Sequence, residues 1–295
     1  MPTYSLYQVD AFTTQPLSGN PCAVVFDCSD LTDDVMLAIA KEMNLSETSF
    51  VWRMDDERFR ARYFTPAEEI PLAGHPTIAT IYGLIDSGRL KLDDDYFKLP
   101  LVLRDGPVEV EIFAKANKVE RVVMSQRKPQ FLSTYHPADI LPAFGLDESD
   151  LLPNAIIQTV STGTPQLMIP IKDLDSLRKA SLDLEKYAAL RNASDFFSPH
   201  LFCLQGIEHG TTFARDFGLP PDTLEDPFTG SATGGMAAYL WHYGLIESPT
   251  FIAEQGHWMS RPGQGYVEVI GPREDIQTVK VGGAAVTVFK GELTI

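Results

Sequence analysis

Residues 69–77 read Glu-Ile-Pro-Leu-Ala-Gly-His-Pro-Thr, and residues 225–233 read Glu-Asp-Pro-Phe-Thr-Gly-Ser-Ala-Thr. Both stretches fit the pattern E-x-P-x-x-G-x-x-T, and their first residues lie 156 positions apart. Each is preceded by an Arg-x-Phe triplet, at residues 62–64 and 215–217. A repeat on this scale favours two duplicated lobes over a solenoid, because solenoid repeats span only about 20–50 residues.

The elements predicted around each copy follow the same order. In the first half, an apolar run at residues 22–26 predicts a buried strand, Thr32 is a suitable N-cap for a helix, and residues 50–52 predict the next strand. The matching elements of the second half are a strand, a helix and a strand, at residues 166–171, 176–190 and 201–204. The repeat therefore extends beyond the motif to the succession of strands and helices.

Each copy of the motif leads into a segment that is apolar on nearly all sides. Ile78, Ile81 and Leu84 lie on the first of these predicted helices, and Met236 and Leu240 lie on the second. A helix with this pattern is expected inside a domain. Its N-terminus carries unpaired N–H groups and the positive end of the helix dipole, which together bind carboxylates and phosphates. Two such helices predict an anion-binding cleft between the lobes.

The composition predicts a globular protein of the cytoplasm. The chain has 295 residues, 44% of them apolar and 22% charged, which is enough for two domains. Its net charge of −16 disfavours binding to nucleic acid or to anionic membranes. Cys22, Cys28 and Cys203 give neither a disulfide framework nor zinc-ligand spacing, and the first residues do not read as a secretion signal. We therefore expect a cytoplasmic protein without a bound metal.

Three segments carry the most specific information. They read Asn-Leu-Ser-Glu-Thr-Ser-Phe at residues 44–50, Ala-Gly-His-Pro-Thr at 73–77 and Glu-Asp-Pro-Phe-Thr-Gly-Ser-Ala at 225–232. Together they resemble signatures of the PhzF-like family, which is named for a phenazine-biosynthesis isomerase and is related to diaminopimelate epimerase. Further segments resemble family positions, at residues 19–21, 255–256, 261–262 and 281–286.

The resemblance implies an α+β fold of the diaminopimelate epimerase type. Its two lobes are expected to be pseudo-symmetric, and each is expected to curl a mixed β-sheet around a central apolar helix. The expected N-terminal lobe comprises residues 1–117 and 278–295, so the last strand returns to it, and the C-terminal lobe comprises residues 118–277. The resemblance also implies a site in the cleft between the lobes, no cofactor, and a homodimer.

The resemblance assigns catalysis to Glu47 and His75 in the N-terminal lobe and to Asp226 in the C-terminal lobe. Taken alone, a Glu after a helix is more often a solvated surface residue, although a polar run between two apolar segments favours partial burial of Glu47. His75 either bonds a backbone carbonyl at a helix start or faces the cleft as a proton donor. Asp226 is either a carboxylate favoured by the helix dipole or the counterpart of His75.

The substrate-binding residues implied by the resemblance are Asn20, Gly74, Gly230 and Ser231. Asn20 is suited to a polar group of the substrate. The two glycines allow close approach of the backbone, whose N–H groups hold a carboxylate or a developing oxyanion, but a tight turn alone also explains them. The arginines of the Arg-x-Phe triplets are further candidates for a carboxylate clamp, and we favour a structural role for both because they lie in predicted strands.

The repeat leaves Glu47 without a counterpart in the second half. A shift of 153 to 156 residues falls between His200 and Cys203, where there is no carboxylate. Neither Gly-containing turn carries a cysteine, whereas two-thiol racemases need one on each side of the substrate carbon. One base on one face suits the movement of a proton between two positions of one substrate. The sequence therefore predicts a cofactor-free isomerase of a small carboxylate-bearing metabolite.

Two alternatives stay open. One is a racemase or epimerase of amino acids or hydroxyamino acids, and the other is a non-catalytic family member that binds a small molecule or a protein. The presence of Glu47, His75 and Asp226 together disfavours the second alternative. Phe228 and Gly263 depart from the residues usual in the family, so the phenazine precursor is not assumed to be the substrate.

Overall fold

The computed structural model describes residues 1–55, 58–92, 94–116 and 118–295. These residues form a mixed α+β fold. Contacts divide the chain into two compact units, of which the first holds residues 1–125, 260–263 and 281–295 and the second holds residues 126–259 and 264–280. Residue 117, at which a lobe boundary was expected, lies outside the described residues.

The strands are, in chain order, β1 (Thr3–Ala11), β2 (Asn20–Phe26), β3 (Glu47–Arg53), β4 (Phe59–Phe64), β5 (Glu69–Ile70), β6 (Tyr96–Leu103), β7 (Gly106–Lys115), β8 (Lys118–Ser125), β9 (Gln130–Tyr135), β10 (Ile157–Ser161), β11 (Pro165–Pro170), β12 (Ser198–Cys203), β13 (Thr212–Phe217), β14 (Glu225–Asp226), β15 (Thr250–Gln255), β16 (Gly263–Ile270), β17 (Thr278–Gly283) and β18 (Ala285–Thr294). The helices are α1 (Asp33–Met43), α2 (Gly74–Asp86), α3 (Pro137–Ile140), α4 (Leu174–Lys179), α5 (Leu184–Asn192) and α6 (Gly230–His242). Short 3₁₀ turns occur at Leu141–Phe144, Glu148–Asp150 and His257–Met259.

The first unit is built on a mixed sheet. β1 pairs antiparallel with both β18 and β2, β2 pairs parallel with β3, and β3 pairs antiparallel with β4. β4 then pairs antiparallel with the short β5 and parallel with β6. The parallel steps require crossovers, and α1 and α2 supply them.

The second unit repeats this succession of pairings. β10 pairs antiparallel with β11, β11 parallel with β12, and β12 antiparallel with β13. β13 pairs antiparallel with the short β14 and parallel with β15. Helices α4 and α5 form the crossover between β11 and β12, and α6 forms the crossover between β13 and β15. Within the described residues, no helix is both long enough and apolar enough to cross a bilayer.

The helix that follows each motif is buried, as its apolar pattern predicts. Ten of the thirteen residues of α2 are buried, and it packs on β1, β2, β3, β8 and β18. Ten of the thirteen residues of α6 are buried as well, and it packs on β10 and β11. Each helix begins at the glycine of its motif, with no acidic residue in the first turn and no side-chain hydrogen bond at the N-cap.

The repeated charged residues form the same ion pair in each unit. Arg62 donates two hydrogen bonds of 2.8 Å to Glu69, and Arg215 donates two of 2.8 Å to Glu225. Each arginine also lies over the phenylalanine two positions later in its own strand, with 5.1 Å and 4.7 Å to the ring centroids. The first residue of E-x-P-x-x-G-x-x-T therefore anchors the turn before the buried helix to the neighbouring strand.

The last residue of the motif completes the helix start. The hydroxyl of Thr77 donates to the carbonyl of Ala73 at 2.7 Å, and that of Thr233 donates to the carbonyl of Thr229 at 2.9 Å. In both cases the acceptor is the N-cap residue four positions back, so the hydroxyl fastens the first turn. The first and last residues of the motif therefore have structural roles in both units.

One predicted element is wrong in its extent. The single helix expected at residues 176–190 is two helices, α4 and α5. Between them the N–H groups of Ser181 and Asp183 donate at 2.9 Å to the carbonyls of Phe144 and Ala143. These tertiary hydrogen bonds draw the backbone out of the helical path, and the side chain of Asp183 then caps α5.

Candidate active site

Glu47 lies at the first position of β3, and its side chain is 17% exposed. Helix α1 ends at Met43, where Asn44 adopts a left-handed conformation and its N–H bonds Ala40. The three residues from Asn44 then turn the chain into β3, which places Glu47 opposite Cys22 in the parallel ladder. The carboxylate is thus fixed by a strand rather than by a loop, and its side chain remains partly exposed.

His75 faces this carboxylate. It is the second residue of α2, and it is 3% exposed. Its Nε2 lies 3.1 Å from Oε2 of Glu47, and its Nδ1 lies 3.0 Å from Nδ2 of Asn20. An amide nitrogen only donates, so the ring accepts at Nδ1, and a neutral ring then carries its proton on Nε2 toward Glu47. His75 thus lies between two of the polar side chains that the sequence analysis singled out.

Asn20 therefore lies against a catalytic candidate, whereas the resemblance placed it against substrate. It is fully buried at the start of β2, and the loop before it is held by Arg261. That guanidinium donates to the carbonyls of Ser18 at 2.9 Å and Gly19 at 2.8 Å, and to the buried carboxylate of Asp10 at 2.8 Å. Burial raises the pKa of Asp10, and the charge of Arg261 opposes that rise.

The carboxylate, the ring and the amide form a line of polar groups from the surface inward. Glu47 can take up a proton and release it again, and a proton on Nε2 of His75, 3.1 Å away, would favour the ionised carboxylate electrostatically between those steps. Asn20 selects which ring nitrogen carries the proton. The arrangement is suited to general acid/base chemistry by one carboxyl group.

The three cysteines lie in apolar surroundings. Burial raises the pKa of Cys22 well above its usual value, and the charge of Glu47 adds to the rise. Burial also raises the pKa of Cys28 to about 12 and that of Cys203 to about 11. A thiol is nucleophilic only as the thiolate, so none of these groups is poised to react near neutral pH.

The second unit holds the remaining candidates. Asp226 lies in β14 and accepts a hydrogen bond of 2.6 Å from the hydroxyl of Thr229, the N-cap of α6. The side chain of Gln255 bridges both residues, because its amide donates to the carbonyl of Asp226 at 2.7 Å and accepts from the N–H of Thr229 at 3.1 Å. Gly230 and Ser231 follow as the first two residues of the helix. The uncapped N–H groups at this start suit a carboxylate ligand.

The structure thus brings Glu47, His75 and Asn20 together in the first unit, with Gly74 beginning the helix that carries His75. It brings Asp226, Gly230 and Ser231 together in the second unit. That these two groups act on one substrate stays a prediction.

One cluster of potential metal ligands lies elsewhere in the second unit. Within the described residues, ligand atoms of Glu208, Glu254 and His257 lie within 4.8 Å of one another. The carboxylate of Glu254 already accepts four backbone N–H groups at 2.6–3.0 Å. Burial acts to raise the pKa of that carboxyl, but the four hydrogen bonds outweigh it and the pKa is lowered. Glu254 is therefore committed to holding the turn at residues 207–210, and the set fits a cation poorly.

A polar cluster beneath the start of α6 was not predicted from the sequence. The strand registers place Ser198 where the first unit has Glu47. Glu47 is the first residue of β3, which pairs in parallel with β2, and Ser198 is the first residue of β12, which pairs in parallel with β11. The shift of 153 to 156 residues had pointed a few residues further along β12. The offset is 151 here because the connections between the repeated elements differ in length. Ser198 contacts Gln166 and Asp216, and Asp216 contacts His200.

The chain is similar to known proteins over its whole length. The family described as "Phenazine biosynthesis-like protein" matches residues 9–291. An uncharacterized isomerase of Clostridium acetobutylicum is 36% identical, over 99% of this chain and 98% of that protein. The trans-2,3-dihydro-3-hydroxyanthranilate isomerase of Pseudomonas aeruginosa is 32% identical, over 96% of each protein. The crystal structure of a PhzF-family protein from Bacillus anthracis superposes with a TM-score of 0.87 at 31% identity and covers all of both chains. These matches confirm the family that the motifs indicate.

Proposed function

The chain belongs to the phenazine biosynthesis-like family, and we propose that it is an isomerase that moves a proton within a small carboxylate-bearing metabolite. The observation that carries this proposal is the short line from Asn20 through His75 to the partly exposed carboxylate of Glu47. Such a line supplies one base of controlled protonation on one side of a substrate.

The proposed reaction has two proton transfers. Glu47 takes a proton from a carbon next to a carbonyl, an imine or a conjugated system, and the electrons of the broken C–H bond enter that system. The carboxylic acid so formed then returns the proton to another carbon of the same substrate, where a new C–H bond forms. His75 holds the carboxylate in place and compensates its charge whenever Glu47 is ionised.

The proposed substrate contacts come from the helix starts. The N–H groups at the first turns of α2 and α6 would bind the substrate's carboxylate, with Gly74 and Gly230 allowing close approach and Ser231 donating from its hydroxyl. Asp226 would orient a polar or cationic group of the substrate, or relay a proton. We further propose that the units correspond to two pseudo-symmetric lobes, and that no cofactor takes part. The homodimer implied by the family resemblance would be tested by sedimentation.

The racemase alternative is less well supported. Inversion of a centre needs a second base on the opposite face of the carbon, and the Gly-containing turns of this chain carry no thiol for that purpose. The described cysteines are buried, and their pKa values are raised.

The test follows the proton directly. The protein would be incubated in deuterium oxide with small carboxylates that contain a mobile C–H bond, including trans-2,3-dihydro-3-hydroxyanthranilate, and the products followed by NMR. We expect a double bond to shift and a proton or deuteron to appear at a new carbon. Exchange at one carbon with loss of optical purity would instead establish a racemase. Ligand binding without any exchange would establish a non-catalytic binding protein.

A further inference from the structure

Four polar side chains lie in the interior of the second unit, beneath the start of α6. They are Gln166 of β11, Ser198 and His200 of β12, and Asp216 of β13, and none is more than 5% exposed. Buried polar groups are stable only when their hydrogen bonds are satisfied. The positions of the protons in this cluster can therefore be deduced from its geometry.

The amide of Gln166 has one possible orientation. Its Oε1 lies 3.2 Å from the backbone N–H of Ser198, which only donates. The opposite orientation would bring two donors together at that contact. Oε1 therefore accepts there, and it also accepts the hydroxyl proton of Ser198 at 2.5 Å. The amide Nε2 then donates to Oγ of Ser231 at 3.4 Å.

Asp216 must then supply a proton. The hydroxyl of Ser198 has a single proton, which Gln166 takes, and yet its oxygen lies 2.8 Å from Oδ1 of Asp216. Two oxygens at this distance need a proton between them. If Asp216 were ionised, the hydroxyl of Ser198 would have to donate its hydrogen bond to Asp216. The 2.5 Å contact between the oxygens of Ser198 and Gln166 would then have no proton between them.

The contact with His200 is compatible with a protonated Asp216. Its Nδ1 lies 2.9 Å from Oδ2 of Asp216, and among the described residues its buried Nε2 has no hydrogen-bond partner. If His200 were a cation, Nε2 would bury an unsatisfied N–H donor, at considerable cost. A neutral ring with its proton on Nδ1 leaves only an acceptor unfilled, which costs less.

The surroundings of Asp216 favour the neutral acid. Its titratable neighbours are His200 from β12, Asp226 opposite it in β14, and Tyr187 from α5. Burial raises the pKa of Asp216 and the charge of Asp226 adds to the rise. The hydrogen bond and the charge interaction with His200 and the hydrogen bond from Ser198 oppose it, and the net change is upward.

We propose that Asp216 is a buried carboxylic acid that keeps its proton at neutral pH and acts as a positioning residue for Ser231. Asp216 donates to Ser198, Ser198 donates to Gln166, and Gln166 donates to Ser231, so every donor in the chain points the same way. The hydroxyl oxygen of Ser231 accepts the hydrogen bond from Gln166, so the hydroxyl proton of Ser231 is free to be donated to a ligand. The role of Ser231 as a substrate ligand rests on the proposed function, whereas the protonation of Asp216 does not.

The direct test is infrared spectroscopy of protein labelled with ¹³C-aspartate, at pH 7. We expect the C=O band of a protonated carboxyl group in the parent protein, and its loss in Asp216→Asn. Spectra with carboxylate bands alone would overturn the proposal. This measurement needs no substrate, so it is decisive even if the proposed isomerase activity fails.

The second test uses the melting temperature. The amide of Asp216→Asn can donate to Ser198 and accept from His200 just as the neutral acid does, but it cannot ionise. An unfolded Asp is ionised above about pH 4, so a folded-state pKa that is raised makes the parent lose stability as the pH rises. We therefore expect the stability of the variant relative to the parent to increase as the pH rises through the range above about pH 4. If Asp216 were an ion-pair partner, the variant would melt below the parent throughout that range.

Asp150 is the matched control. It is also 3% exposed, but Lys179 lies 2.8 Å from it, and although burial acts to raise its pKa, the pairing outweighs this and the pKa is lowered. Asp150→Asn should therefore lower the melting temperature, in contrast to Asp216→Asn. In the isomerase assay, Asp216→Ala should raise KM roughly threefold to tenfold, as the loss of one hydrogen bond would, and Asp216→Asn should restore it. An equal rise in both variants would refute the positioning role.

Discussion

The two units have the same arrangement of strands and helices but differ in the polar side chains at equivalent positions. Both have the same succession of strand pairings, a bidentate Arg–Glu ion pair over a phenylalanine ring, and a buried helix that begins at a glycine. At the first position of the third repeated strand, however, one unit has Glu47 and the other has Ser198. The first carries a partly exposed carboxylate beside a histidine, while the second carries a buried network. The repeated Arg–Glu pairs and threonines stabilise the fold, whereas the proposed acid/base side chains, Glu47 and His75, are not repeated.

The sharpest test of this contrast is Glu47→Gln. The amide has nearly the same size and still forms hydrogen bonds, but it cannot take up and return a proton. We expect turnover to fall by roughly 10²–10⁴-fold, since Ser198 cannot take over as base. Turnover of a substrate deuterated at the migrating position would be measured for both proteins.

Glu42→Gln is the control for that experiment, because Glu42 lies exposed on α1 and should be silent. Melting curves would confirm that both variants stay folded. A fully active Glu47→Gln protein would exclude Glu47 as the acid/base and with it the proposed mechanism.

The shared scaffold predicts that both arginines of the Arg–Glu pairs stabilise the fold. Arg62→Met and Arg215→Met each remove the bidentate partner of a largely buried glutamate, and each should lower the free energy of unfolding by about 2–4 kcal/mol, although Glu69 keeps its 3.5 Å contact with Arg104. Arg215→Met should lie at the upper end, because Arg215 also donates to the carbonyls of Leu177 and Ala180. Chemical denaturation would measure both.

Arg58→Met provides the reference, since Arg58 pairs with Asp55 on the surface and should cost under about 1 kcal/mol. If Arg62→Met left the free energy of unfolding unchanged while Arg215→Met lowered it strongly, the Arg–Glu pair would not have the same structural role in both units.

Asn20 sharpens the comparison within the first unit. Asn20→Ala removes the donor to Nδ1 of His75, so the ring can carry its proton on the nitrogen that does not face Glu47. We expect kcat to fall about tenfold with a changed pH profile, while KM changes less. Asn192→Ala, at an exposed site in α5, should leave both constants unchanged. If KM rose and kcat and the pH profile stayed the same, Asn20 would be a substrate ligand, as the family resemblance implies.

The smallest expected effect is that of thiol reagents and chelators. The pKa values of Cys22, Cys28 and Cys203 are raised, so mild alkylation near pH 7 should leave turnover almost intact, and so should a chelator. Residual activity after treatment would be measured with and without substrate. Rapid inactivation from which substrate protects would favour the two-base racemase over the isomerase.

The sequence predicted those parts of the molecule that depend on local pattern. The buried helices after residues 74 and 230 follow from their apolar residues, and the motif around them located the candidate site. Asn20 and His75 are 55 positions apart in the sequence, and no local sequence pattern around either residue predicts their contact. The break between α4 and α5 depends on carbonyls some 40 residues earlier, so local periodicity could not indicate it. Ser198 was missed because its match with Glu47 is set by strand register, which sequence offsets do not reveal.

The passage of residues 260–263 through the first unit has a consequence for synthesis on the ribosome. The first 125 residues emerge early, but Asp10 is buried against Arg261, and β1 needs β18 as a neighbour. At about 5–20 residues per second, the ribosome takes roughly 10–30 seconds to make the intervening chain. During that interval the segment that carries Glu47 and His75 lacks both the arginine that pairs with its buried Asp10 and the strand that pairs with β1. A nascent chain stalled at residue 125 should therefore remain sensitive to protease, while release of the complete chain makes the same segment resistant.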